Sequence, residues 1–176
     1  MENGIKKILR DKYGLFEKDI EILLEKFTKF SVPKREIILQ ERQTDHYIYF
    51  VEKGIVKSTI LREGREFIIF FALENDVPLS SPNLTESRQS LYTLEAVDTC
   101  ILWRISRKDL ATSFKDSLNL SNWGRMILQE WLTSSSFYFS SIHWMSKKEQ
   151  YQYLLKEMPK LIQRLSMRDL SAWLDR

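Results

Sequence analysis

Between residues 36 and 106 the chain breaks into six apolar runs of five to eight residues. They are 36–40 (EIILQ), 47–53 (YIYFVEK), 55–61 (IVKSTIL), 66–73 (EFIIFFAL), 90–96 (SLYTLEA) and 99–106 (TCILWRIS), with Gly54 and Glu63-Gly64 as turn residues between neighbours. Short β-branched and aromatic runs punctuated in this way argue for an antiparallel sandwich or roll.

Helical periods flank this block. Over residues 3–29, Ile5, Ile8 and Leu9, then Leu15, Phe16, Ile20, Leu23, Leu24 and Phe27 recur at steps of three and four, and Ser31-Val32-Pro33 ends the pattern. After the block, 106–115 reads as a short helix with Ser106 as cap and Asp109 three residues on. A stripe at Leu120, Trp123, Ile127, Trp131, Ser134, Phe137, Ser141 and Trp144 marks a long helix. At 1.5 Å per residue, about 25 residues extend ~37 Å, longer than a roll of ~80 residues can cover. Residues 147–157 form a further helix, Met158-Pro159 breaks it, and 166–174 starts another with Ser166 as cap. The expected fold class is α+β: an antiparallel β-roll (a double-stranded β-helix) with flanking helices. The expected organisation is a sensor domain at 1–116, a dimerisation helix at 117–145 and a small helical unit at 146–176.

The stripe carries the first functional expectation. Large aromatic side chains in one row along an uncovered helix make a self-association surface. Trp123, Ile127, Trp131, Ser134, Phe137 and Trp144 are the expected homodimer residues, with Ser134, Ser135 and Ser136 permitting close helix approach.

Composition excludes several classes. The 176 residues are 43% hydrophobic and 29% charged, the balance of a soluble globular chain. The longest apolar run, residues 67–73, is too short for a bilayer, and the N-terminus has no signal core, so a cytoplasmic protein without membrane partners is expected. A lone Cys100 builds no intrachain disulfide and reads as a buried structural thiol. His46 and His143 lack neighbours at ligand spacing, so no metal is expected. A cupin-type metalloenzyme needs His-x-His on its strands and fails for the same reason; no catalytic residue is assigned. The formal net charge of +3 does not identify a nucleic-acid binder by itself, although Lys and Arg outnumber Asp and Glu in residues 146–176.

The order of elements resembles the Crp/Fnr family of transcription regulators, in the texture of its Bacteroidetes members. The resemblance rests on 47–57 (YIYFVEKGIVK), 63–71 (EGREFIIFF), 94–110 (LEAVDTCILWRISRKDL) and 149–174 (EQYQYLLKEMPKLIQRLSMRDLSAWL). It implies a cyclic-nucleotide-binding-like roll, a dimer helix that relays a signal through Gln129 to Ser136, and the start of a C-terminal winged helix-turn-helix truncated before its recognition helix, so no DNA-contacting residue is named. It also implies a pocket in which a Gly-Glu pair takes a ribose hydroxyl and an Arg-Ser/Thr pair takes a cyclic phosphate. Here Leu79-Ser80 and Ser90-Leu91 (or Gln89-Ser90) stand at those places, and Arg88 is out of register. Leu79, Ser80, Ser81, Arg88, Gln89 and Ser90 are therefore pocket candidates for an unknown small effector, and cyclic AMP is not expected as a ligand. The expected function is the sensing and dimerisation part of a Crp/Fnr-type regulator acting on DNA in its full-length form. The alternative is a dimeric adaptor with a degenerate pocket and no DNA partner.

Overall fold

The computed structural model describes residues 4–174. The outermost positions of the expected spans, 1–3 and 175–176, lie outside the described residues. Helix α1 (Gly4–Lys7) runs into a π-turn (Ile8–Lys12), and α2 (Glu17–Leu24) follows. Nine strands build the roll: β1 (Thr28–Val32), β2 (Ile37–Leu39), β3 (Thr44–Asp45), β4 (Tyr47–Lys53), β5 (Val56–Arg62), β6 (Arg65–Ala72), β7 (Arg88–Gln89), β8 (Thr93–Ala96) and β9 (Cys100–Ser106). They pair in the orders β1-β9-β4, β2-β8-β5-β6 and β3-β7, and every pairing is antiparallel.

The inner faces of the two larger sheets close on each other. Val51 and Leu102 from one sheet meet Val56, Leu94 and Ala96 from the other, all fully buried. Each aliphatic side chain so removed from water stabilises the fold by roughly 1.5–3 kcal/mol. The β4–β5 turn depends on Gly54, whose φ is +101°. A Cβ there would lie 2.6 Å from Cys100 Sγ, so backbone and thiol pack where no other residue fits.

The flanking helices do not form one element over 3–29. The chain breaks after the π-turn at Gly14 (φ +66°), α2 ends at Leu24, and residues 28–32 form a strand. Pairing with β9, from Thr28↔Arg104 to Val32↔Cys100, overrides the helical period that Phe27 seemed to continue.

After β9, α3 (Arg107–Asp116) is capped by Ser106 Oγ, which accepts from Asp109 N at 3.0 Å. Helix α4 (Leu118–Ser140) is 23 residues long and ends before the expected 145. A 3₁₀ turn (Ile142–Trp144) follows, then α5 (Lys147–Glu157), α6 (Pro159–Ile162) and α7 (Met167–Leu174). Ser146 and Glu149 form a capping box on α5, and Ser166 Oγ accepts from Asp169 N at 3.1 Å. No helix among the described residues is long and apolar enough to cross a membrane.

Two further apolar clusters fix the helices. One joins Ile5, Leu9, Ile20 and Leu23 to Phe50 of the roll and to Leu120, Trp123, Ile127 and Trp131 of α4. The other joins Ile68 and Phe71 of β6 to Leu154, Leu161 and Trp173 of the C-terminal unit.

The first cluster corrects the stripe. Trp123 is only 1% exposed, and Ile127 and Trp131 are also buried. Trp123 stacks on Phe50 at 5.7 Å, and Trp131 Nε1 donates to Val77 O at 3.0 Å. These three residues close the chain's own core and leave no surface for a partner chain. Trp144 is exposed but sits in the 3₁₀ turn, off the α4 row. Phe137 and Ser134 remain exposed on α4.

Candidate functional site

The loop from 73 to 87 joins β6 to β7 and holds Leu79, Ser80 and Ser81, while Arg88, Gln89 and Ser90 follow it. It is fastened from below by one buried ion pair. Arg107, the first residue of α3, points its guanidinium at Asp45 of β3, and both side chains are buried. Arg107 Nη2 donates to Asp45 Oδ2, and Nε donates to Asp45 O at 3.1 Å. Ser80 Oγ completes the group: it donates to Asp45 Oδ2 at 2.5 Å and accepts from Arg107 Nη2 at 3.2 Å. Buried charges need this kind of pairing, since an isolated one costs far more than a folded chain can offset.

Ser90 repeats the pattern on the far side of the loop. Its Oγ donates to Tyr92 O at 2.6 Å, and Leu91 N donates to Ser80 O at 3.0 Å. The backbone of Ser90 also pairs with Arg42 and Gln43 in the turn between β2 and β3. Ser80 and Ser90 are therefore buried groups that hold the loop to the roll, and Ser81 is buried beside them. Ser80 and Ser81 are not presented to a ligand, which corrects the expectation for these two, whereas Ser90 borders an open recess. Leu79 is also buried and belongs to the core beneath α4.

Arg88 and Gln89 lie on β7 with exposed side chains. Arg88 donates to Glu86 Oε2 at 2.6 Å, and this cation beside Glu86 holds its carboxyl below the usual range. The loop amides are used internally: Asn83 Oδ1 accepts from Thr85 N and Glu86 N, both at 2.9 Å. Among the described residues the loop contains no helical turn, so no helix N-terminus aims its amides at an anion there.

What remains open is shallow: an apolar recess under α4 and, beside it, a polar one that Gln89 and Ser90 also line. Leu79, Pro82, Leu91, Tyr92 and, from α4, Leu128 and Leu132 surround a recess of about 220 Å3. A neighbouring recess of about 480 Å3 is edged by Arg42, Arg62 and Tyr92, and Arg62 is already paired with Glu41 at 2.9 Å. Such a surface admits a small apolar group and gives a buried phosphate no desolvated partner of its own.

The exposed face of α4 was not legible as a stripe of tryptophans. Leu128, Leu132 and Phe139 are 39%, 68% and 65% exposed, and steps of four and seven put them on one side of the helix with Ser135 between. Their signal in the sequence is a second row one position out of phase with the aromatic one. His46 is exposed and meets Ser87 Oγ at 3.1 Å, and His143 packs among Tyr138, Phe139 and Trp144. The Cys100 thiol is buried and donates to Ile55 O at 3.3 Å.

Residues 29–117 match the cyclic nucleotide-binding domain family. No curated protein matches the chain as a whole sequence. Among solved structures, FixK2 from Bradyrhizobium japonicum superposes with a TM-score of 0.74 at 22% identity, over 85% of this chain and 77% of its own. A putative transcriptional regulator of the Crp/Fnr family from Eubacterium rectale gives 0.74 at 21% identity, over 94% and 79%. CLP from Xanthomonas campestris, described as a c-di-GMP-responsive global regulator, gives 0.73 at 16% identity, over 91% and 85%.

Proposed function

We propose that this chain, which belongs to the cyclic nucleotide-binding domain family, is the sensing and dimerisation part of a cytoplasmic Crp/Fnr-type transcription regulator that does not respond to cyclic AMP. One observation carries the regulator reading. The likeness to the three regulators covers 85–94% of the chain, so it extends past residues 29–117 into α4 and the C-terminal unit. An isolated nucleotide-binding roll would not need those elements.

The pocket chemistry supports the second half. A cyclic nucleotide needs a cation for its phosphate and a carboxylate for its ribose, both turned inward. By the resemblance, Ser80 and either Ser90 or Gln89 stand at those places; none is charged, both serines are bound to the protein itself, and Arg107 is sealed against Asp45. Any effector at this position is small and largely apolar. Dimerisation proceeds through Leu128, Leu132 and Phe139, with Phe137 and Trp144 at the rim. The helical unit from residue 146 leads into the DNA-reading part of the natural gene product.

The reading is tested by nuclease protection of the DNA upstream of the chain's own gene, using the natural gene product with and without cyclic AMP. The expected result is a footprint at low salt that cyclic AMP leaves unchanged. No footprint at any salt, or one that appears only with the nucleotide, overturns it.

A further inference from the structure

A larger cavity opens across Trp131 from the recess under Leu128 and Leu132, at the start of the loop 73–87 and away from the Leu128–Leu132–Phe139 row. Its volume is about 560 Å3, within the range of about 300–1,000 Å3 typical of small-molecule sites. Phe70 and Phe71 of β6 form one wall, Val77 and Trp131 another, Met126 of α4 a third, and Met158 of the C-terminal unit closes the end. On α4, Met126, Glu130 and Thr133 follow at steps of four and three, so one helix face turns to the cavity and a different one carries the exposed leucines.

The polar end has a definite sign. Lys12 enters from the π-turn and donates to Asn75 O at 3.1 Å and to Asp76 Oδ1 at 3.3 Å, and its ammonium lies 3.1 Å from Glu130 Oε2. Two of its hydrogens are donated in this way, and Glu130 is held by charge. Tyr13 also donates its hydroxyl to Glu130, at 3.2 Å. Two carboxylates thus share one cation at the cavity's edge, a formal charge of −1. Asp76 shows the consequence: burial, opposed by Lys12, pushes its carboxyl above the usual range.

We propose that this cavity binds a small amphipathic amine, with an aromatic or aliphatic body among Phe70, Phe71, Met126 and Met158 and one protonated nitrogen against Glu130, on the side away from Lys12. A second cation there neutralises the pair of carboxylates. Walls drawn from the roll, α4 and the C-terminal unit make the occupant a wedge between all three. The binding claim stands apart from the regulator reading, because it concerns this chain alone and needs no DNA.

The test is calorimetric titration of the protein with 4-phenylbutylamine, 4-phenylbutyrate and 4-phenylbutanol, which share a body and differ in charge. The expected result is saturable one-to-one binding of the amine, at least about tenfold tighter than either of the others. Glu130→Gln is expected to remove most of that preference while leaving the fold intact. Ser134→Trp, which fills the cavity from α4, is expected to abolish binding with an unchanged melting temperature. Equal or tighter binding of the butyrate, or no saturable binding of the amine at millimolar concentration, overturns the proposal. Amine binding that survives Ser134→Trp with its selectivity unaltered by Glu130→Gln overturns it as well, since the site would lie elsewhere.

Discussion

Arg107 and Asp45 form an ion pair with no solvent access, 62 residues apart in sequence, and Ser80 is bonded to both. The pair joins the first turn of α3 to the short strand β3 and, through Ser80, pins the loop 73–87. Removing one member leaves an uncompensated buried charge, at a cost of about 3–5 kcal/mol. Arg107→Met is expected to lower the unfolding free energy by that amount in urea titration. Arg107→Met combined with Asp45→Leu is expected to cost clearly less than the sum of the single substitutions, because the stranded carboxylate is gone.

The dimer prediction separates two rows of α4. Leu132→Glu and Phe139→Glu place charge on the exposed face and are expected to yield a folded monomer in sedimentation equilibrium. Trp131→Ala acts on the other face, where the indole is buried and bonded to Val77 O. It is expected to cost about 3–5 kcal/mol of stability instead. A monomeric wild type would remove α4 as the interface.

Lys57 predicts how the C-terminal unit is held. This lysine is 1% exposed and touches Glu66 at 2.8 Å, Asp169 at 2.9 Å and Glu95 at 3.4 Å, linking β5, β6 and β8 to α7. Arg164 adds Asp98 at 2.5 Å and Glu74 at 2.8 Å. Lys57→Met leaves three carboxylates facing one another without their cation. Faster amide exchange confined to α7 and its neighbours, with the roll still protected, is the expected outcome.

The thiol predicts an alkaline limit. Burial, with Asp98 nearby, pushes Cys100 from 9.0 up to about 12. The folded state therefore keeps a proton that the unfolded state releases above pH 9. Stability from this group falls as pH rises between about 9 and 12, by about 1.4 kcal/mol per pH unit. Cys100→Ser is expected to flatten that part of the pH–stability curve, and the native thiol is expected to resist iodoacetamide at pH 8 until denaturant is added.

The substitution Gly54→Ala tests the tightest turn. A Cβ at φ +101° would meet Cys100 Sγ at 2.6 Å and Asp98 Oδ1 at 2.9 Å. A loss of about 1–3 kcal/mol is expected from backbone strain alone, read by thermal unfolding, with a further cost from the clash.

Local signals carried much of the fold. The run Tyr47–Lys53, the turn at Gly54 and the caps at Ser106 and Ser166 were readable because each depends on neighbours within a few residues. Strand β1 was not, because TKFSV is short and becomes a strand only by pairing with β9, some 70 residues away. The pocket failed for a related reason. Missing charges at Ser80 and Ser90 were visible, but nothing in the spacing of Asp45, Ser80 and Arg107 announced that the three meet. The tryptophan row showed a long helix correctly and its partner wrongly, since periodicity cannot say whether a stripe faces its own roll or another chain. The cavity at Lys12, Asp76 and Glu130 joins three distant segments and had no sequence signature.

The central claim is that a roll of the cyclic nucleotide-binding family has turned Ser80 inward, onto Arg107 and Asp45, and has bound Ser90 to its own backbone. Calorimetric titration of the protein with cyclic AMP and cyclic GMP tests it most directly. No saturable heat is expected up to about 1 mM, whereas a dissociation constant in the micromolar range for either nucleotide would contradict it.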